Sequence, residues 1–183
     1  MLPLIAQGRP RLTAALFVLA GLWPILFFPT AGGAGALLND PKGFRNIPWG
    51  SPLVNQAELA LVQTMDRVKG YEVSKEPPHL GDTTVESVRL FTIDGQFGRV
   101  TIHYQGKETH DAVLAYLQSQ FGPIDRSPGS MMRGLNQQYN WRGADTEINL
   151  TYEAKRERGY LFIESRTLSP RFNDALADTG SSY

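Results

Sequence analysis

Hydrophobic residues recur along the chain with two different periods. Val85–Ile93 and Phe97–Tyr104 are β-rich runs joined at Asp94-Gly95. In a strand, successive side chains point to opposite faces, and Asp-Gly suits a two-residue turn that needs positive φ. These runs predict a hairpin in which Val100, Ile102 and Tyr104 share a packed face while Arg99, Thr101 and His103 share a wet one. Between Glu108 and Phe121 the period lengthens to that of a helix, with Val113, Leu114, Leu117 and Phe121 on one stripe. Thr109 is placed to cap this helix, Asp111 lies near the positive end of its dipole, and Gly122-Pro123 supplies the stop. Strand signals resume at Gln137–Arg142 and Glu147–Glu153, around Gly143-Ala144-Asp145, and return at Tyr160–Arg166.

Elsewhere the pattern is less decisive. Within 53–66, apolar residues at 54, 57, 61, 62 and 65 suit a helix, whereas Leu59, Leu61 and the following VKGYEV suit paired strands. A turn of helix near 53–58, then strands at about 59–65 and 70–75, accommodates both. Residues 37–52 read as an extended lead-in pinned by Phe44, Ile47 and Trp49, and 76–83 as a loop. Residues 123–136 form a polar loop centred on Met131 and Met132, which suit either an adaptable contact or an anchor into the core. Beyond Ser169 the pattern is lost. Strands in hairpins with a single helix between them give an α+β fold: an antiparallel sheet of β-hairpins with one main amphipathic helix (about 108–121) packed on one face.

The amino terminus follows another logic. Arg9 and Arg11 precede 17 uncharged residues, Leu12–Phe28, and then the small residues Ala34-Gly35-Ala36. Basic, apolar and small segments in that order describe a signal peptide over 1–36, cut between Ala36 and Leu37. A retained membrane anchor is the alternative, since the uncharged stretch runs on to Asn39, although Pro24, Pro29 and three glycines argue for an early helix end. The organisation expected is signal peptide 1–36, a single domain over 37–168 and a flexible C-terminal tail over 169–183. In either case the folded part lies outside the cytoplasm, periplasmic or secreted.

The overall charge of zero, from 18 basic and 18 acidic residues, then divides into a basic leader and a slightly acidic body. Nothing in it favours nucleic acid as a partner, and a membrane enters only through an uncleaved N-terminal segment. The absence of cysteine excludes disulfides, thiolate metal sites and cysteine nucleophiles.

Phe44-Arg45-Asn46-Ile47-Pro48-Trp49-Gly50, the hairpin residues Asp94-Gly95-Gln96-Phe97, Tyr104-Gln105-Gly106 and Phe121-Gly122-Pro123 resemble, in order and spacing, a group of small exported bacterial proteins of unknown function. The resemblance spans most of 43–168. It implies a periplasmic α+β domain with strands rather than helix at 59–75, and it carries no catalytic residue.

Motifs for chemistry are sparse. His79, His103 and His110 lack any H-E-x-x-H arrangement and read as solvated surface histidines, so no metal or other cofactor is expected. No G-x-S-x-G frames a nucleophile, and Ser127 and Ser130 read as turn serines. Gly95-x-x-Gly98 lacks the lysine and helix of a phosphate loop, and Lys155-Arg156-Glu157-Arg158 reads as a solvated hairpin tip. What remains is surface. Arg99, Thr101 and His103 could join Tyr139 or Trp141 in a shallow binding patch, the alternative being that the two aromatics belong to the core. Changing Arg99 and His103 to Ala would then spare stability and weaken capture of a partner. The expected function is a non-enzymatic binding or interaction module of the cell envelope, taking an envelope protein or a small ligand. The alternatives are a small hydrolase using His103 or His110 with Glu108 or Asp111, and an enzyme-inhibitor-like role for the loop at 126–136.

Overall fold

Asp94 and Gly95 both adopt positive φ (51° and 80°), the conformation that matches the right-handed twist of a tight hairpin. They join two inner strands of the sheet in the computed structural model, which describes residues 35–54, 56, 58–74, 77–124 and 136–180. Chain order begins with the short strands β1 (Gly35–Ala36), β2 (Gly43–Phe44) and β3 (Ile47–Pro48). The hairpin β4 (Leu59–Met65) and β5 (Val68–Val73) follows, then the small ribbon β6 (His79–Leu80) and β7 (Thr83–Thr84). Next come β8 (Ser87–Ile93), β9 (Gln96–Gln105) and helix α1 (Lys107–Phe121). The chain closes with β10 (Asn136–Arg142), β11 (Thr146–Glu153), β12 (Arg158–Ser165) and helix α2 (Ser169–Gly180).

The fold is α+β. Seven antiparallel strands lie in the order β10-β11-β12-β9-β8-β5-β4, and β1 adds a two-residue parallel pairing beside β10. Two meanders, β4-β5-β8-β9 and β10-β11-β12, meet where β12 pairs with β9, and α1 lies between them in the chain.

Register sorts the side chains into rows across the sheet. One row runs Trp141, Ile148, Ile163, Val100, Leu90, Tyr71 and Leu61. Its neighbour runs Tyr139, Leu150, Leu161, Ile102 and Val88. Apart from the half-buried Tyr71 and the exposed Leu61 at the sheet edge, these residues form the main core together with Val113 and Leu117 of α1. Gly159 serves this layer by lacking a side chain: a Cβ there would lie 1.8 Å from the Tyr104 ring across the strands.

The opposite face carries a charged row, Arg142, Glu147, Glu164, Arg99, Phe91 and Gly70. Here α2 packs, burying Leu168, Phe172 and Ala175 with Ile93. Gly98, the extra residue at a bulge between β8 and β9, admits α2, because a Cβ there would come within 2.9 Å of Leu168 and Phe172.

Three sequence expectations change. Residues Ser169–Gly180 form a helix rather than a patternless tail, and that helix covers part of the face expected to be wet. Among the described residues of 53–58 there is turn but no helix, and strands β4 and β5 follow. Helix α1 starts at Lys107 with Gly106 as its cap and no side-chain capping bond from Thr109. Just past the end of β9, Gly106 N–H donates to the carbonyl of Glu157 in the β11–β12 turn, so the chain must turn at once, and the glycine's φ of 95° does so. Residues 1–34 and 125–135, including Ala34, Ser127, Ser130, Met131, Met132 and most of the 126–136 loop, lie outside the described residues.

Candidate functional site

The five patch residues fall on opposite faces of the sheet. Tyr139 and Trp141 are buried in the core beneath α1, where Trp141 Nε1 donates to the carbonyl of Gly122 at 3.0 Å. Arg99, Thr101 and His103 lie on the other face, three strands away in the order of the sheet. Alternation assigned each set its own face, but strand order separates them, so they form no common patch.

Arg99 is a structural anchor for α2. Its Nε lies 3.1 Å from Glu164 Oε1, with the two side chains 13% and 15% exposed, and its guanidinium stands 4.6 Å over the Phe172 ring. Glu164 also accepts a hydrogen bond from Ser169 at the start of α2. Removal of Arg99 is therefore expected to cost stability, contrary to the sequence expectation. Thr101 is nearly buried beside it. His103 is half-buried, edge-on to Tyr160 at 5.3 Å. Burial, with help from Arg89, lowers its pKa below the ordinary histidine value.

His110 is not a surface histidine either. At 2% exposure it stacks on Tyr152 at 4.1 Å, and its Nδ1 shares a 2.7 Å hydrogen bond with Tyr104 Oη. Burial raises the pKa of Tyr104, and the neighbouring Tyr152 and Tyr139 add to the effect. His103 and His110 therefore occupy opposite faces of the sheet and share no site. Asp111 pairs with Lys107 one helical turn away, holding the lysine pKa up. Among the described residues no group of three or more His, Asp or Glu is arranged to hold a metal ion.

Among the described residues a concavity lies elsewhere, a cleft of about 680 Å³ between the lead-in, the β6–β7 ribbon and the C-terminal half of α1. Leu80, Leu117, Ile163 and Phe44 give it an apolar lining, while Asn39, Arg45, His79 and Gln120 bring polar groups. Each wall has a local cause. Asp40 accepts backbone hydrogen bonds from Asp145 (2.7 Å) and Thr146 (3.0 Å), locking the lead-in to the β10–β11 turn. Thr146, fully buried, donates to the carbonyl of Pro41 and accepts from Trp49 Nε1 at 2.8 Å. Trp49 thus pins the lead-in as its flanking sequence suggests, with its ring 4.8 Å from Phe97. Asn39 Nδ2 donates to the carbonyl of Gln120 at 2.9 Å, closing the end against α1. Gly81, at φ 57°, lets the ribbon turn rest on Tyr116, since a Cβ there would stand 2.6 Å from that ring.

Sequence reasoning missed this cleft because its lining comes from four segments, 39–45, 79–81, 116–121 and 163, each far from the next along the chain. The Gly81-Asp82 turn signal within HLGDTT could have revealed the ribbon. At the proposed cleavage position, Ala36 pairs with Arg142 and Leu37 N–H donates to the Arg142 carbonyl at 3.5 Å. A cut there would remove β1 and leave the cleft walls, which begin at Asn39. Compared with known protein families, curated proteins and solved structures, the chain matches none.

Proposed function

We propose that the chain is an exported, non-enzymatic binding module of the cell envelope, and that it takes a small ligand in the cleft beside α1. The observation that carries this reading is the cleft itself. Its volume of about 680 Å³ falls within the ~300–1,000 Å³ typical of small-molecule sites, and its apolar lining with a few polar groups is their usual composition. In this reading α1 is the main amphipathic helix of the fold, with one side in the core and its C-terminal half forming a cleft wall. Export rests on the basic, apolar and small segments of residues 1–36, and the resemblance to small exported bacterial proteins agrees with it.

Two measurements test the reading. Native mass spectrometry of protein recovered from the envelope fraction should detect a non-covalent adduct of small-molecule mass. Gln120→Trp, an exposed change that fills the cleft, should abolish that adduct with the melting temperature preserved. An adduct that persists in the variant, or a chain found wholly in the cytoplasm, would overturn it.

A further inference from the structure

We infer that the cleft is selective for an amphiphile carrying a single acidic group, a carboxylate or a phosphate, that meets Arg45 while its apolar body lies along Leu80, Leu117 and Ile163. This rests on the cleft being a binding site and goes further by naming the ligand chemistry.

The charge arrangement is asymmetric. Asp40 borders the cleft, but its two carboxylate oxygens are engaged by the backbone N–H groups of Asp145 and Thr146. Arg45 forms no ion pair among the described residues. Its Nη2 donates to the carbonyl of His79 on the facing ribbon. That single bond uses one of five guanidinium N–H groups and fixes the planar fork beside the cleft. A fork held in this way, with donors to spare, suits the two oxygens of a carboxylate or phosphate.

Backbone conformation supports the same assignment. Arg45 and Asn46 form the β2–β3 turn with φ of 48° and 63°, where Asn-Gly is the favoured pair. An arginine with positive φ is uncommon, so the turn keeps Arg45 at the cleft edge despite its backbone preference. The amides of Asn39 and Gln120 are neutral, and the rest of the lining is largely apolar. The other basic side chain of the lining, His79, has its Nδ1 3.1 Å from the Pro77 carbonyl, so Arg45 is the one guanidinium the cleft offers and a single acidic group is the match for it.

The test measures binding of defined probes to the full chain by calorimetry: decanoate, decyl phosphate, the neutral decyl maltoside, and inorganic phosphate. Decanoate or decyl phosphate should bind, and their relative affinities identify the acid. Arg45→Gln should weaken that binding about 10- to 100-fold, the range for a charge-assisted hydrogen bond. Decyl maltoside should bind as weakly to the wild type as to Arg45→Gln, and inorganic phosphate, lacking an apolar body, should not bind. A thermal melt of each variant checks that it folds. If decyl maltoside matches decanoate and Arg45→Gln changes nothing, the acidic selectivity is wrong and the cleft reading survives. If Gln120→Trp leaves the binding of every amphiphile unchanged, the cleft reading falls with it.

Discussion

The two faces of the sheet are built on different physics. Beneath α1, rows of side chains cross the sheet from Trp141 to Leu90 and belong to a core of 18 buried residues, among those described, that draws on both meanders. Beneath α2 the separate cluster holds four, Ile93, Leu168, Phe172 and Ala175, and the adjoining attachment is polar: Arg99 with Glu164, Ser169 with Glu164, and Arg171 with Asp94. Apolar burial is roughly proportional to area and does not depend on pH, so the first face should hold the fold as a whole. Ion pairs and a small apolar cluster make a local attachment, the kind of region that opens below the global unfolding free energy.

The largest expected effect tests the first face. Trp141→Ala removes a fully buried indole and its bond to Gly122. It should cost about 3–5 kcal/mol, measured by urea denaturation, and should lower the stability of both meanders together. A loss under 1 kcal/mol would mean that the inner core is not the common support.

Next in size is the anchor of α2. Arg99→Ala leaves Glu164 without its partner and should cost about 2–3 kcal/mol, less than a fully buried pair because both side chains keep some water contact. Replacing both, Arg99→Met with Glu164→Leu, should recover most of the loss. Hydrogen exchange should show α2 opening in the single variant while β10–β12 stay protected. Equal loosening of both faces would erase the distinction between them.

The smallest effect concerns pH. Hydrogen bonding by Arg67, reinforced by Arg171, lowers the Asp94 pKa from the ordinary 3.8 to about 2. A carboxylate with a depressed folded-state pKa contributes stability that is fully present above about pH 4 and is lost as the pH falls through about 2. Asp94→Asn, which tolerates the positive φ of this turn, should melt slightly lower than wild type at pH 7. The gap should close between pH 4 and pH 2. A gap independent of pH would assign the effect to the turn rather than to the ion pairs.

Much of the inner face was legible in the sequence. The alternation of Val100, Ile102 and Tyr104, and of Ile148, Leu150 and Tyr152, reports burial directly, and Asp94-Gly95 and Gly122 mark their turns through the φ they require. Helix α2 was legible in principle: Leu168, Phe172 and Ala175 recur at i, i+4 and i+7, with Ser169-Pro170 as a start signal. The many polar residues of that segment masked its short apolar stripe. His110 looked solvated because one polar residue within an apolar helix pattern says nothing of the tyrosines that surround it in space.

By itself the sequence determined the local elements and which residues share a face, because period and turn chemistry depend only on neighbours along the chain. The pairing of β12 with β9, the distance between Arg99 and Trp141, and the cleft between residues 39–45, 79–81 and 116–121 were decided by tertiary structure. Those contacts join segments far apart in the chain, and their energy comes from surfaces that exist only once the sheet has assembled.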